Sequence, residues 1–173
     1  MDAAAGYPPS MSSGAVNDQG RFGLETALAA AERDELAVWV GEFLASAGSD
    51  NEVLGAALAQ RRHWWVGPLE LELSDLERLA GPEDDALCAV DDEEWEDDID
   101  SMEDSLGDGW APPPLLVQYD GGRLLLQDGN HRYEAMVRAG ERRGWGIVYF
   151  DVEADRDRFV ADHGVSGHVP TNG

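Results

Sequence analysis

An apolar run that breaks off in a tight polar turn and opens directly into a helix constrains this chain more than any other feature. It reads Leu124-Leu125-Leu126-Gln127-Asp128-Gly129-Asn130-His131-Arg132-Tyr133-Glu134-Ala135-Met136. The run before the turn has the apolar character of a buried strand, and the residues after it have helical spacing. Two potential cations, His131 and Arg132, stand in the first helical turn, where the macrodipole favours anions instead. The arrangement makes electrostatic sense if a bound anion supplies the negative charge. Backbone N–H groups at a helix start form an anion site, and Gly129 lets the chain approach a phosphate closely. The turn therefore reads as a phosphate-binding loop.

The same residues have plain structural readings. Asp128-Gly129 is a common turn in which the Asp caps the next helix, Arg132 can pair with Asp128 or Glu134, and His131 can be an ordinary polar helix residue. The functional reading rests on all of them falling together in one strand–turn–helix unit.

Around this unit the chain divides into recognisable pieces. Residues 1–20 are small, polar and aperiodic, which predicts a disordered N-terminus. From Leu24 a helical pattern of Leu24, Leu28, Ala31, Leu36, Val40, Phe43 and Leu44 runs toward a stop at Gly48. Ser49 or Asp50 then caps a second helix with Val53, Leu54, Ala57 and Leu58. Residues 21–63 thus form a helical extension, an amphipathic hairpin that packs on the domain or serves as a dimerisation arm. Trp64 to Leu73 alternates apolar and acidic residues in its second half, as a half-buried strand does, and Pro68 suits a strand edge or start. Ser74 caps a short helix through Leu79, followed by a turn at residues 81–85. Asp91 to Asp108 is dense in carboxylates but lacks the spacing of a calcium loop. Trp95, Ile99, Met102 and Leu106 share one helical face there, leaving the acids on a solvated face or on a surface for a basic or metal partner. Leu115–Tyr119, the Asp120-Gly121-Gly122 turn and Arg123–Gln127 read as a hairpin. A helix to Ala139, a strand from Trp145 to Val152, a helix from Asp155 to His163 and a flexible tail at 164–173 complete the chain.

Charge narrows the partners. Thirty-six acidic residues against twelve basic ones give a formal net charge of −24. Such a chain is repelled by nucleic-acid backbones and anionic membranes, although Arg132, Arg138, Arg142 and Arg143 lie close together in sequence. One cysteine, Cys88, excludes an intramolecular disulfide and fits a reducing compartment. With no signal-like N-terminus and no long apolar run, the expected setting is the cytoplasm.

The order of features from Ile99 to Asp151 resembles the ParB/sulfiredoxin superfamily. The matching residues are Asp104-Ser105-Leu106 with Gly109, Pro113-Pro114-Leu115-Leu116-Val117, Asp120-Gly121-Gly122, Asp128-Gly129-Asn130-His131-Arg132 and Ile147-Val148-Tyr149-Phe150. The Leu69–Leu73 strand fits the first strand of that family. The resemblance implies an α+β fold over residues 64–163, a small mixed sheet flanked by helices behind the N-terminal hairpin. Sulfiredoxins carry Gly-Cys-His-Arg at the turn; Gly129, His131 and Arg132 match, but Asn130 replaces the catalytic cysteine, so phosphate binding carries over and cysteine chemistry does not. ParB proteins carry Gly-Glu-Arg-Arg and bind CTP; only Gly129 and Arg132 match. Fold-mates that phosphorylate free serine carry Asp-Gly-His-x-Arg, matched by Asp128, Gly129 and Arg132.

The resemblance implies a nucleotide-binding enzyme, an ATP-dependent small-molecule kinase or NTP hydrolase. Gly129, Asn130, His131 and Arg132 would bind ATP or another NTP, with Arg132 clamping phosphates and His131 contacting the transferring phosphoryl group. Asp128 would hold Mg²⁺, and Glu70 or Glu72 would act as ligand or general base, making His131, Asp128, Glu70 and Glu72 the catalytic candidates. The partners would be the nucleotide and a small-molecule acceptor, without membrane or nucleic acid. The alternatives are a non-catalytic acidic protein that keeps the fold and binds a basic protein or a second copy of itself, and a ParB-like DNA-associated protein.

Overall fold

The computed structural model describes residues 21–47, 49, 51–81, 88–89, 92–109 and 111–164. The disorder expected at residues 1–20, the helix stop at Gly48, the Asp50 cap, most of the 81–85 turn and the tail beyond Gly164 lie outside the described residues.

The fold is α+β. Helices α1 (Leu24–Glu32), α2 (Leu36–Leu44) and α3 (Glu52–Leu58) lead into strand β1 (Trp64–Glu72). A single 3₁₀ turn, Leu73–Asp75, precedes β2 (Leu76–Arg78). The acidic helix α4 (Asp92–Gly107), the hairpin β3 (Leu115–Asp120) and β4 (Arg123–Asp128), α5 (Asn130–Arg138), β5 (Arg143–Phe150) and α6 (Glu153–His163) follow. Five strands form one mixed sheet in the order β1-β5-β3-β4-β2. β5 runs antiparallel to β1 and parallel to β3, while β4 is antiparallel to β3 and parallel to β2. Two-residue ranges Ala80–Gly81 and Cys88–Ala89 form a separate parallel pair. The β3–β4 turn uses Gly121 at φ 58° and Gly122 at φ 96°, the positive dihedrals that a two-residue hairpin with native twist requires.

The sheet is covered on both faces, and strand periodicity divides its side chains between two cores. Leu116, Ile147 and Tyr149 point to the N-terminal helices, where they meet Phe22, Val40, Phe43 and Leu44. Leu115, Val117, Val148 and Phe150 point the other way, to Met136 of α5 and Phe159 of α6. Double coverage explains why Ile147–Phe150 is an unbroken apolar run rather than an alternating one. Phe22, Trp39 and Phe43 pack their rings 5.3–5.7 Å apart, and Trp39 Nε1 donates to Thr26 Oγ1 at 3.1 Å. The face predicted for α4 is the face that packs: Trp95 and Ile99 are fully buried against Ala135 of α5, with Met102 and Leu106 alongside.

Two local expectations are corrected. The pattern from Leu24 to Leu44 is not one helix, because Asp34 takes a left-handed φ of 58° and the chain restarts at Leu36. The helix expected from Ser74 to Leu79 is a 3₁₀ turn and a strand: Leu76, Glu77 and Arg78 pair with Leu124, Leu125 and Leu126. Leu73 and Leu76 are thereby buried in the sheet core, so strand pairing outweighs the weak local helix signal. Pro68 behaves as expected, on a strand at the sheet edge.

Gly67 sits where β1 irregularly shifts register, at φ 122°, and a Cβ there would lie 2.7 Å from the carbonyl oxygen of Gly146. Gly67→Ala is expected to cost about 2–4 kcal/mol in urea unfolding, because backbone cannot give way as a flexible side chain can. The Tyr149 hydroxyl is pushed up to about 12 by burial and, secondly, by the Asp151 carboxylate. The unfolded chain releases that proton near pH 10, so stability should be full below pH 10 and fall as pH rises toward 12. Tyr149→Phe should flatten this alkaline loss in unfolding curves taken across that range.

Candidate functional site

The Asp128–Arg132 turn lies where β4 ends at the sheet surface and α5 begins. Gly129 is the N-cap of α5 at φ 97° and has no side chain of its own to cap the helix. A Cβ on Gly129 would fall 2.7 Å from Leu115 Cδ2 and 2.9 Å from an Arg132 guanidinium nitrogen, so glycine is required on both dihedral and steric grounds. The expected capping by Asp128 does not occur; its carboxylate turns inward.

Asp128 and Arg132 form a buried ion pair, each only 6% exposed, with Nη2 donating to Oδ2 at 2.6 Å. Arg132 Nη1 donates to the carbonyl oxygens of Pro113 at 2.9 Å and Pro114 at 3.3 Å. Its guanidinium carbon lies 5.2 Å from the centre of the Phe43 ring. The other carboxylate oxygen of Asp128 accepts from Ser49 Oγ at 2.9 Å and Asn51 Nδ2 at 3.2 Å. Burial pushes the Arg132 pKa down, and the Asp128 charge and hydrogen bond offset part of that. Both groups are thus engaged by the fold.

His131 is oriented differently. Its ring lies 4.3 Å from the Trp95 ring on α4, Nε2 is 3.9 Å from Asp98 Oδ2, and the side chain is about one-third exposed. Between the α2–α3 connection and α4 there is a cleft of about 160 Å³ lined by Ser49, Asn51, Trp95, Met102 and the 127–132 turn. Gly129, Asn130, His131, Arg132 and Asp128 are therefore together at one cleft.

Glu70 and Glu72 are not. β1 lies three strand positions from β4, roughly 14 Å at the usual strand spacing. Along that row Asp128 faces Leu116, Leu116 faces Ile147, and Ile147 lies opposite the Gly67–Pro68 irregularity rather than either glutamate. Glu72 instead pairs with Arg143 at 2.6 Å. As a Mg²⁺ ligand Asp128 fits poorly, since both its oxygens already accept hydrogen bonds from protein donors. Among the described residues no group of three or more His, Cys, Asp or Glu side chains could hold a metal ion.

Sequence reasoning missed Ser49, Asn51, Phe43 and Trp95 as members of the site. Asn51 carried a usable signal, because it caps α3 in place of the expected Ser49 or Asp50, accepting from Leu54 N at 3.4 Å. Nothing local showed that the α2–α3 connection reaches the turn nearly eighty residues later. The basic cluster after the motif is partly neutralised: Arg138 pairs with Glu96 at 2.7 Å and with Glu134 at 3.0 Å.

Neither a protein-family model nor a curated protein sequence matches this chain. Solved structures similar to it include the sulfiredoxin of Arabidopsis thaliana, at 20% identity and a TM-score of 0.36, covering 53% of this chain and 92% of that one. The C-terminally truncated chromosome-partitioning protein ParB of Caulobacter crescentus, in complex with CTP-γ-S, is similar at 18% identity and a TM-score of 0.34. A Pnob8-like ParB-N domain is similar at 15% identity and a TM-score of 0.35. These matches cover 58% and 64% of this chain, which spans 55% and 41% of the two partition-protein chains. Among the described residues no helix is long and apolar enough to cross a membrane.

The buried pair makes a specific energetic expectation. Asp128→Ala or Arg132→Ala each leaves one buried charge uncompensated and should cost about 3–5 kcal/mol. The double variant Asp128→Ala with Arg132→Ala should lose much less than the sum of the two single losses. Denaturant unfolding of the four proteins measures the coupling; additive losses would show that the two side chains act independently.

Proposed function

We propose that this protein binds the phosphate groups of a nucleoside triphosphate at the Asp128–Arg132 turn and transfers or hydrolyses the terminal phosphoryl group. The observation that carries the reading is the start of α5: a glycine N-cap, which has no side chain of its own to cap the helix, at a left-handed φ of 97° and opening into a cleft. Helix-start N–H groups and the positive end of the dipole suit a phosphate there. The resemblance of Gly129, His131 and Arg132 to a phosphate-binding motif adds to it.

In this reading the residues divide their work. The N–H groups at the start of α5 receive phosphate oxygens. His131, held by Trp95, hydrogen-bonds the phosphoryl oxygens on which charge develops, the kind of positioning and neutralisation that phosphoryl transfer uses. Arg132 is a positioning residue: its donors go to Asp128 and the Pro113 and Pro114 carbonyls, so it holds the loop in shape. Asn130 contributes at the first helical position. Mg²⁺, which supplies charge neutralisation to a triphosphate, would have to arrive with the nucleotide and be held mostly by phosphates and water. The cleft is small for a whole nucleotide, so base and sugar would lie across the α4 surface outside it.

Thermal unfolding with ATP, CTP, GTP or UTP, with and without Mg²⁺, tests the reading. At a ligand concentration about 100 times Kd, binding to the native state should add about 2.7 kcal/mol of stability and raise Tm. His131→Gln should weaken that binding by about 1.5–3 kcal/mol while leaving the unliganded Tm nearly unchanged. If no triphosphate shifts Tm at millimolar concentration, nucleotide binding at this turn is wrong. If binding occurs without phosphate release in single-turnover assays, the turn binds but does not catalyse.

A further inference from the structure

The cleft at the start of α5 carries on its wall a hydroxyl that nucleotide binding alone does not use. Ser49, from the connection between α2 and α3, lines it together with Asn51 and residues 127–132. Its Oγ donates to Asp128 Oδ1 at 2.9 Å. Asn51 caps α3 in place of Ser49 or Asp50, so the Ser49 hydroxyl is not engaged by the helix.

Nor does the buried carboxylate depend on Ser49. Asp128 Oδ1 also accepts from Asn51 Nδ2 at 3.2 Å, and Oδ2 accepts from Arg132 Nη2 at 2.6 Å. Each carboxylate oxygen therefore keeps a partner without the serine. Because Ser49 donates its proton, the lone pairs of Oγ face no acidic hydrogen, and among the described residues no side chain donates to them.

A hydroxyl within hydrogen-bond reach of a base, with the base itself fixed by further groups, is the arrangement of an activated nucleophile. Here Asp128 is the base, and Arg132 and Asn51 fix it. Phosphoryl transfer asks little of such a base, since the transition state is loose and the hydroxyl must chiefly be positioned.

We propose that Ser49 is an internal phosphoryl acceptor: it takes the terminal phosphoryl group of a triphosphate bound at the same cleft and becomes phosphoserine. The inference rests on the phosphate-binding reading and supplies an acceptor for it. Base and sugar would lie outside the cleft, so the phosphate end comes beside Ser49. Ser49 Oγ forms a bond to the γ-phosphorus. The bond from that phosphorus to the β–γ bridging oxygen breaks, and the nucleoside diphosphate leaves with the electron pair. The hydroxyl proton passes to Asp128 Oδ1 and from there to water. The product stands as a phosphate dianion beside Asp128, where like charge and the lost proton remove the Ser49–Asp128 hydrogen bond. Modification thereby loosens the tie between the α2–α3 connection and the turn.

The experiment incubates the full chain with γ-labelled ATP, CTP, GTP or UTP and Mg²⁺, and reads Tm on the same samples. Intact mass and peptide mapping then count and locate the label. One phosphoryl group per chain, on Ser49, is expected. At saturating nucleotide the rate per chain should not change on dilution of the protein, because donor and acceptor sit on one molecule. Ser49→Ala should abolish the label, and Ser49→Thr, which keeps a hydroxyl, should retain it at a lower rate. Ser49 is half-buried and Asp128 keeps Asn51, so both variants should fold, which the unliganded Tm checks. A triphosphate that raises Tm yet leaves Ser49 unmodified overturns this inference and leaves the phosphate-binding reading standing. No Tm shift with any triphosphate overturns both. Label on another residue, a rate that falls on dilution, or undiminished label in Ser49→Ala also overturns the inference.

Discussion

The buried pair between Asp128 and Arg132 is the interaction on which the rest of the architecture converges. It joins the last residue of β4 to the first turn of α5, and from there reaches three other segments. Arg132 ties in the backbone before β3 through Pro113 and Pro114 and lies over Phe43 of α2; Asp128 ties in Ser49 and Asn51 between α2 and α3. A buried ion pair adds little net stability compared with well-packed apolar side chains, because desolvation consumes most of the Coulombic gain. Its value lies in direction. An apolar plug would fill the same space without specifying which loop meets which, whereas each donor and acceptor here is matched to groups on a particular segment.

That same pair sets the chemistry of the turn. By drawing Asp128 inward it keeps that carboxylate from capping α5, and by drawing Arg132 inward it leaves His131 as the more exposed basic side chain at the cleft. The neighbouring α4 then matters in two ways. Trp95 lies against the His131 ring, while Asp98 and the rest of the acidic face place negative charge beside the proposed phosphate site. Phosphate affinity at this turn would therefore depend on how far α4 screens it.

Charge is distributed to the same end elsewhere. Arginines are mostly committed to intramolecular pairs, with Arg138 held between Glu96 and Glu134 and its pKa raised by those hydrogen bonds. Arg143 is similarly held by Glu72, and Arg78 by Glu134. Pairing leaves little positive surface from which to grip a nucleic-acid backbone. The α2–α3 connection brings Ser49 and Asn51 to the cleft, so the N-terminal helices shape the site as well as cover the sheet.

Elements whose pattern is carried by their own residues were legible from sequence alone. The β3–β4 hairpin with its paired glycines, the apolar stripe of α4, the strand–turn–helix at Gly129 and the run Ile147–Phe150 each follow from local periodicity and turn chemistry. The α+β class follows from their order. The sequence also placed Gly129, Asn130, His131 and Arg132 at one helix start, since adjacency in the chain guarantees adjacency in space. Tertiary structure decided what adjacency cannot. It turned Leu76–Arg78 into a strand because β4 offered a partner, split the first helical pattern at Asp34, and put Glu70 and Glu72 far across the sheet from the turn they were expected to serve. It also turned Arg132 inward: whether a guanidinium faces a ligand or a buried carboxylate depends on groups that converge from distant segments, here Phe43, Ser49, Asn51 and the Pro113–Pro114 carbonyls, and no local pattern encodes that meeting.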